Sequence, residues 1–383
     1  MIYLDNAATS FPKPESVINT AVRVMRNVGG NAGRTSHQSA VKAGEIIYET
    51  RQLLADMFGC ESEKVIFTLN CTQALNTAIR GSVRKGDHVI ISSLEHNSVL
   101  RVVHNLSERG IISYSVAKAE PLSAEATLKN FEKLIKGETS LIVCSAVSNV
   151  FGTVLPVASI GELCRKKRLR FIVDGAQAAG YLEINMKKMN IDILCLPGHK
   201  GLFGLSGTGA MLLGEGVDVD PLIFGGTGSF SMSEHQPQIY PDKLESGTLN
   251  LPGIASLGRG IKFIERYGGT RAIHDKEKYL CDILTNDLAN MKNIILYSDI
   301  CGRNSGSVVP FNIKNMHSET AGGLISEAGF AVRTGYHCAY LAHKNYSTQQ
   351  TGVIRVSPGI FNTKKEIKNL IFYLNKIALR QKL

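Results

Sequence analysis

The chain has 383 residues, 44% of them apolar and 20% charged, enough for two domains around a large buried core and too apolar for a disordered chain. Its 43 Lys and Arg against 33 Asp and Glu give a net charge of +10, but the basic residues are dispersed apart from "CRKKRLR" and "NTKKEIKN"; without interleaved aromatics they read as solvated helix faces, not a nucleic-acid surface. No apolar run approaches the roughly 20 residues of a membrane helix, "MIYLDNAATS" lacks a basic region followed by an apolar one, and the cysteines at 60, 71, 144, 164, 195, 281, 301 and 338 show neither a C-x-x-C pair nor a metal spacing, which together argue against membrane, export and metal and for reduced thiols in the cytoplasm.

In chain order, Pro12 and Pro14 precede an amphipathic stretch, "ESVINTAVRVMRNV", and a second helix is predicted from about Ser39 to Phe58. Short apolar runs then recur as "KVIFT", "DHVIISS", "SLIVCSAV", "RFIVDGA", "DILCLPG" and "GAMLLG". Helical patterns or turn residues separate them, the pattern of a mostly parallel sheet with crossover helices. From "ESGTLNLPGIASLGRGIKFIERYGG" the chain turns to long helices, the second at about 271–291. Three later strands ("SVVPFNI", "GFAVRT", "GVIRVSP") and a closing helix read as a smaller α+β unit. The fold class expected is α/β, with a large domain over 15–256 and a small one from 1–14 and 257–383.

Ligands of open α/β sheets sit at the carboxyl ends of strands, so the polar residues ending each run carry the most information. "RFIVDGAQAAG" ends its strand in Asp174, and "DILCLPGHKGLFG" delivers Lys200 among Gly198, Gly201, Gly204 and Gly207, where bare backbone would let a bulky group approach. An anion and an amine on one rim are the minimum set for pyridoxal 5'-phosphate: the lysine forms the Schiff base and the aspartate pairs with the pyridinium nitrogen. "FTLNCTQALNTAI" ends a strand at Thr68 and opens a helix with Asn70 at the N-cap and Gln73 three residues on. The amides of Cys71 and Thr72 and the Thr72 hydroxyl would cradle a phosphate there. "DHVIISSLEHNS" brings His96 to the rim as a ring-stacking acid or base, and "LIVCSAVSNVFGTVLP" brings Asn149. "FGGTGSFS" is not followed by a helical pattern, which speaks against a dinucleotide loop.

The segments "YLDNAAT", "LEHNS", "VSNVFGTVLPV", "VDGAQAAG", "GHKGLFG", "ESGTLN" and "RTGYHCAYLAHK" with "GVIRVSPGIFNT" together resemble the cysteine desulfurases of aminotransferase class V, from Tyr3 to about residue 365. The short cysteine segment after "RTGYH" resembles their second group, which is SufS-like and selenocysteine-lyase-like. The resemblance implies the fold type I of pyridoxal-phosphate-dependent transferases, with Lys200 as Schiff-base lysine, Asp174 as pyridinium partner and Gln177 as donor to the ring oxygen. It further implies His96 stacked on the ring and Asn149 near ring oxygen and substrate carboxylate. Cys71, Thr72 and His199 would bind phosphate, and Gly247 and Thr248 would reach it from the partner subunit of a homodimer. Arg355 would clamp the substrate carboxylate, with Arg333 beside it. The chain departs from the family pattern at Pro197, where a hydroxyl residue is usual, at "GLSG", and at Tyr340, where proline often stands.

The reaction implied turns L-cysteine into L-alanine, leaving a persulfide on Cys338 for an acceptor protein or small thiol. Cys338 would act as a thiolate with Arg333, His337 and substrate-side cations supplying positive charge. Residues 337 and 338, read as one extended strand, would point to opposite faces. Alternatives within the fold are selenocysteine lyase, with L-selenocysteine as substrate, and a class V β-lyase or transaminase. A catalytically silent sulfur-carrier scaffold is the alternative of another class.

Overall fold

The computed structural model describes residues 1–32, 37–298 and 305–380; Cys301 lies outside the described residues. A short strand β1 (Ile2–Tyr3) precedes helices α1 (Glu15–Asn27) and α2 (Gln38–Phe58). The chain then alternates: β2 (Val65–Thr68), α3 (Cys71–Ser82), β3 (His88–Ser92), α4 (Asn97–Glu108), β4 (Ser113–Ala117), α5 (Ala124–Glu132), β5 (Thr139–Ser145), α6 (Val157–Lys167), β6 (Arg170–Asp174), β7 (Ile193–Pro197) and β8 (Gly209–Leu213). These strands form a 7-stranded sheet ordered β2-β8-β7-β6-β5-β3-β4. Only β8 runs against its neighbours, while β3, β4, β5, β6 and β7 pair in parallel.

The central strands are apolar on both sides because both faces are covered. Phe171 and Val173 of β6 pack with α2, α6 and the later helix α7 (Leu251–Tyr267). Ile172, between them, packs against α3 and α4 on the other face. Strand β4 went unrecognised in the sequence because it is the sheet edge: its residues are mostly exposed or half-buried, so "SYSVA" carries no continuous apolar run.

After α7 come α8 (Gly269–Ala289), β9 (Ile294–Leu296), β10 (Val309–Ile313), α9 (Ser318–Glu327), β11 (Phe330–Ala331), β12 (Arg333–Gly335), α10 (Tyr340–Asn345), β13 (Val353–Val356) and α11 (Lys364–Arg380). An antiparallel sheet, β12-β13-β10-β9, has its own core of Leu280, Leu284, Phe311, Ile354, Leu370 and Leu374. The run read as one strand, "GFAVRT", is split: β11 pairs with β1, and β12 pairs with β13. The first residues of the chain are thereby tied to its last third, and Asp5 bridges to Ser357.

Candidate active site

Strands β2 and β7 both run opposite to β8, so the carboxyl ends of β2, β3, β5, β6 and β7 meet on one edge of the sheet. A cavity of about 110 Å³ at that edge is lined by Cys71, Thr72, His96, Asn149, Asp174, Gln177, His199 and Lys200, with Pro197 in its wall. Eight of the residues expected from sequence are thus brought together from separate segments.

Each arrives by local rules. Asn70 caps α3 by accepting from Gln73 N (2.9 Å), while Gln73 Oε1 accepts from Leu69 N (2.6 Å), one residue earlier than the usual capping box. The first turn of α3 therefore opens toward the cavity with Cys71 buried and Thr72 exposed. Asp174 is buried at the end of β6, and its Oδ1 accepts from Ala176 N (2.9 Å) and from the Cys71 thiol (3.5 Å). Burial, with Asp174 beside it, pushes the Cys71 thiol well up, which keeps it a neutral donor. His96 caps α4: its Nδ1 accepts from Ser98 N (3.0 Å), so the proton of the neutral ring belongs on Nε2. Burial lowers the His96 pKa and so favours that neutral ring.

Lys200 follows β7, the strand next to β6. Burial is the main cause that lowers its pKa, with Asp174 opposing, so the amine gives up its proton more readily than an ordinary lysine. Two of the glycines around it are required by the packing of the chain itself. A Cβ on Gly201 would lie 2.3 Å from Ala179 O, and one on Gly198 would lie 2.2 Å from Thr208 Oγ1. Gly201 packs against the turn after β6, and Gly198 against Thr208 just before β8.

Sequence reasoning missed a strap across this loop. His199 O accepts from Thr9 Oγ1 (3.1 Å), Ser10 Oγ (3.2 Å) and Lys13 Nζ (2.6 Å), and Lys200 O accepts from Ser10 Oγ (3.0 Å). Burial brings Lys13 down to about 8. The same segment supplies Ala7 O to Gln177 Nε2 (3.0 Å). Only its place next to "YLDNAAT" could have signalled this, since backbone acceptors leave no side-chain pattern.

Beyond the cavity rim stand Arg355 and Cys338. Arg355 lies in β13 opposite Arg333 and is buried, whereas Arg333 is exposed. The Arg355 guanidinium donates to Asn149 O and to Asp5 Oδ1, each at 2.7 Å, and its buried Nε has no partner. Asn149 Nδ2 donates to His337 O (2.7 Å), and Asn97 N donates to Cys338 O (2.7 Å). Cys338 is the one exposed cysteine among those described.

Two expectations about this stretch need correction. Residues 337 and 338 do not continue a strand: both have positive φ, 48° and 57°, in a turn between β12 and α10. His337 also supplies no positive charge, because burial, with Arg355 next, lowers its pKa to about 3. Its Nε2 lies 3.1 Å from Val353 O, so the neutral ring donates there and pins the turn. Tyr340 is the first residue of α10, a position that accepts proline and other residues alike.

Gly247 and Thr248 do not reach this cavity. They are exposed and line another hollow with Arg51 and Gly226, just after Glu245, which is buried and held by Arg51 and Phe67 N.

Residues 2–370 match the family described as aminotransferase class-V. A probable cysteine desulfurase of Methanothermobacter thermautotrophicus is 31% identical over 384 residues, covering 98% of this chain and 94% of that protein. One from Borreliella burgdorferi is 30% identical, covering 98% and 92%. Among solved structures, the apo cysteine desulfurase of Thermococcus onnurineus NA1 superposes with a TM-score of 0.92 at 27% identity, covering 99% of this chain and 94% of that one.

Proposed function

The chain belongs to the aminotransferase class-V family, among its cysteine desulfurases, and from that premise we propose that it removes sulfur from L-cysteine, yielding L-alanine and a persulfide on Cys338. The observation that carries the reading is the single cavity shared by Lys200, Asp174, His96 and the first turn of α3, with Asn149 joining it to Arg355 and the Cys338 turn.

The donor set fits pyridoxal 5'-phosphate. His199 Nδ1 and Asn149 Oδ1 are buried without partners, and the first turn of α3 offers amides to an anion. Cys71, Thr72 and His199 would hold the phosphate, Asp174 the ring nitrogen and Gln177 the ring oxygen, with His96 on the ring face. Pro197 offers neither a hydroxyl nor an N–H, so Gly247 and Thr248 of a second subunit would complete the phosphate site in a homodimer. When bound, the cofactor supplies an electron sink for the substrate's Cα.

The remaining chemistry belongs to the chain. Arg355, held in orientation by Asp5 and Asn149, takes the substrate carboxylate on its free N–H groups, and exposed Arg333 adds positive charge at the mouth. Lys200, with its lowered pKa, removes the α-proton as a neutral amine. The Cys338 thiolate attacks the substrate sulfur; the new S–S bond forms as the Cβ–S bond breaks, and the electron pair left on the carbon side is met by a proton to give alanine. An acceptor protein or a small thiol then takes the sulfur from the exposed Cys338. In this reading 15–256 form the cofactor-binding domain, and 1–14 with 257–383 the domain that carries Cys338, in a cytoplasmic enzyme of the second group. No helix among the described residues is long and apolar enough to cross a membrane.

Replacing Lys200 with alanine tests the reading. Loss of a positioned proton-transfer group removes about 10²–10⁴-fold of rate, and Lys200→Ala should lose at least that while its circular dichroism is unchanged. Alanine release at the wild-type rate would overturn the assignment. Assaying L-selenocysteine beside L-cysteine separates the lyase alternative.

A further inference from the structure

A second carboxylate lies beneath the site, and nothing in the mechanism above uses it. Glu95 is fully buried, one residue before His96. Its Oε1 accepts from Ser92 Oγ and from Ser145 N (2.9 Å), and its Oε2 accepts from Ser145 Oγ (2.8 Å). Ser145 stands directly opposite Asp174 in the β5–β6 register, and Ala146 N donates to Asp174 O (2.9 Å). The two carboxylates therefore belong to one patch of the sheet's carboxyl edge.

Hydrogen bonds satisfy Glu95, but no ion pair among the described residues neutralises it or Asp174. A buried carboxylate without a cation is strongly disfavoured, and a second one nearby makes it worse. Burial first, then Asp174, raises the Glu95 pKa, while the Ser92 and Ser145 hydrogen bonds lower it, the balance lying at about 7. The nearby Cys144 thiol is pushed well up by its own burial and stays neutral. Lys200 is the amine that acts on Asp174; it forms no ion pair with either carboxylate, and the proposed cofactor would bring a second positive charge to the patch.

We propose that Glu95 and Asp174 act as a carboxylate pair whose counter-ion is the protonated ring of the bound cofactor, with Glu95 strengthening the hold on that positive charge through space. Glu95 is a positioning residue in this scheme and touches neither substrate nor cofactor. The inference rests on the cofactor reading above.

The test compares pyridoxal 5'-phosphate with its deaza analogue, in which carbon replaces the ring nitrogen and no ring cation can form. Both are titrated by fluorescence into cofactor-free wild type, E95Q and S145A; the last removes one donor from Glu95 and favours its protonated form. Coupling worth one pKa unit corresponds to about a tenfold change in affinity. E95Q is expected to lose about tenfold for pyridoxal phosphate and nothing for the analogue, S145A to lose less in the same sense, and the thermal midpoint of cofactor-free E95Q to match or exceed wild type. Equal losses for both ligands in either variant, or a lowered midpoint in E95Q with no ligand discrimination, would overturn the proposal and make Glu95 a structural brace. Wild type that binds neither ligand would defeat the cofactor reading itself, and the proposal with it.

Discussion

Single residues set the electrostatics of this site, and Glu95 shows how sharply. Its pKa rises from 4.5 to about 7 in the folded protein, so the native state binds the proton more tightly than the unfolded chain. Stability from this group is therefore fully present below about pH 4.5 and is lost as pH rises through about 7. The loss amounts to about 3 kcal/mol. Urea unfolding of cofactor-free wild type and Glu95→Gln across pH 4.5–8 should show the difference between them growing in the variant's favour as pH rises; a pH-independent difference would contradict the assignment. Glu95 was not legible in the sequence because a glutamate before a histidine carries no periodic signal. Asp174 was legible because it ends a run of buried-strand residues, and Lys200 because it follows such a run on the adjacent strand. The opposite error befell His337: a histidine beside a cysteine reads as a cation until burial against Val353 O removes that role.

Elements decide where those residues point. The N-terminus of α3 was readable because Asn70 and Gln73 are local chemistry, and the fold uses both. Asn70→Ala should destabilise the protein by about 1 kcal/mol and weaken retention of phosphate-bearing ligands, since the first-turn amides lose their alignment; chemical denaturation and a phosphate-competition titration check the two effects. An unchanged affinity would remove the α3 terminus from the binding site. The Cys338 turn was misread because its geometry is set from outside the segment. Asn149, Asn97 and Val353 hold the carbonyls and ring of residues 337 and 338, and these partners lie in other parts of the chain. The edge strand β4 and the two-residue β1 escaped notice for a related reason: neither has the apolar run that burial on both faces imposes.

At the scale of the whole molecule, the segment from Asp5 to Lys13 couples the two sheets. Asp5 holds Arg355 of the antiparallel sheet, and Thr9, Ser10 and Lys13 hold the Lys200 loop on the mostly parallel one. The proposed second subunit adds the last part of the site. Thr248, exposed and outside the chain's own cavity, would matter more than usual because Pro197 lacks a hydroxyl, and a lost hydrogen bond of about 1 kcal/mol corresponds to roughly fivefold weaker cofactor retention in Thr248→Val. Sedimentation with cofactor-release kinetics checks this, and a monomer that keeps its cofactor as well as a dimer would contradict it. Whether Cys338 is the sulfur-accepting nucleophile is decided by alanine formation from L-cysteine in wild type and Cys338→Ala, with mass spectrometry of the peptide containing residue 338. The wild-type peptide should gain the mass of one sulfur atom, and the variant should release almost no alanine while cofactor binding persists. Undiminished alanine formation by Cys338→Ala would contradict it.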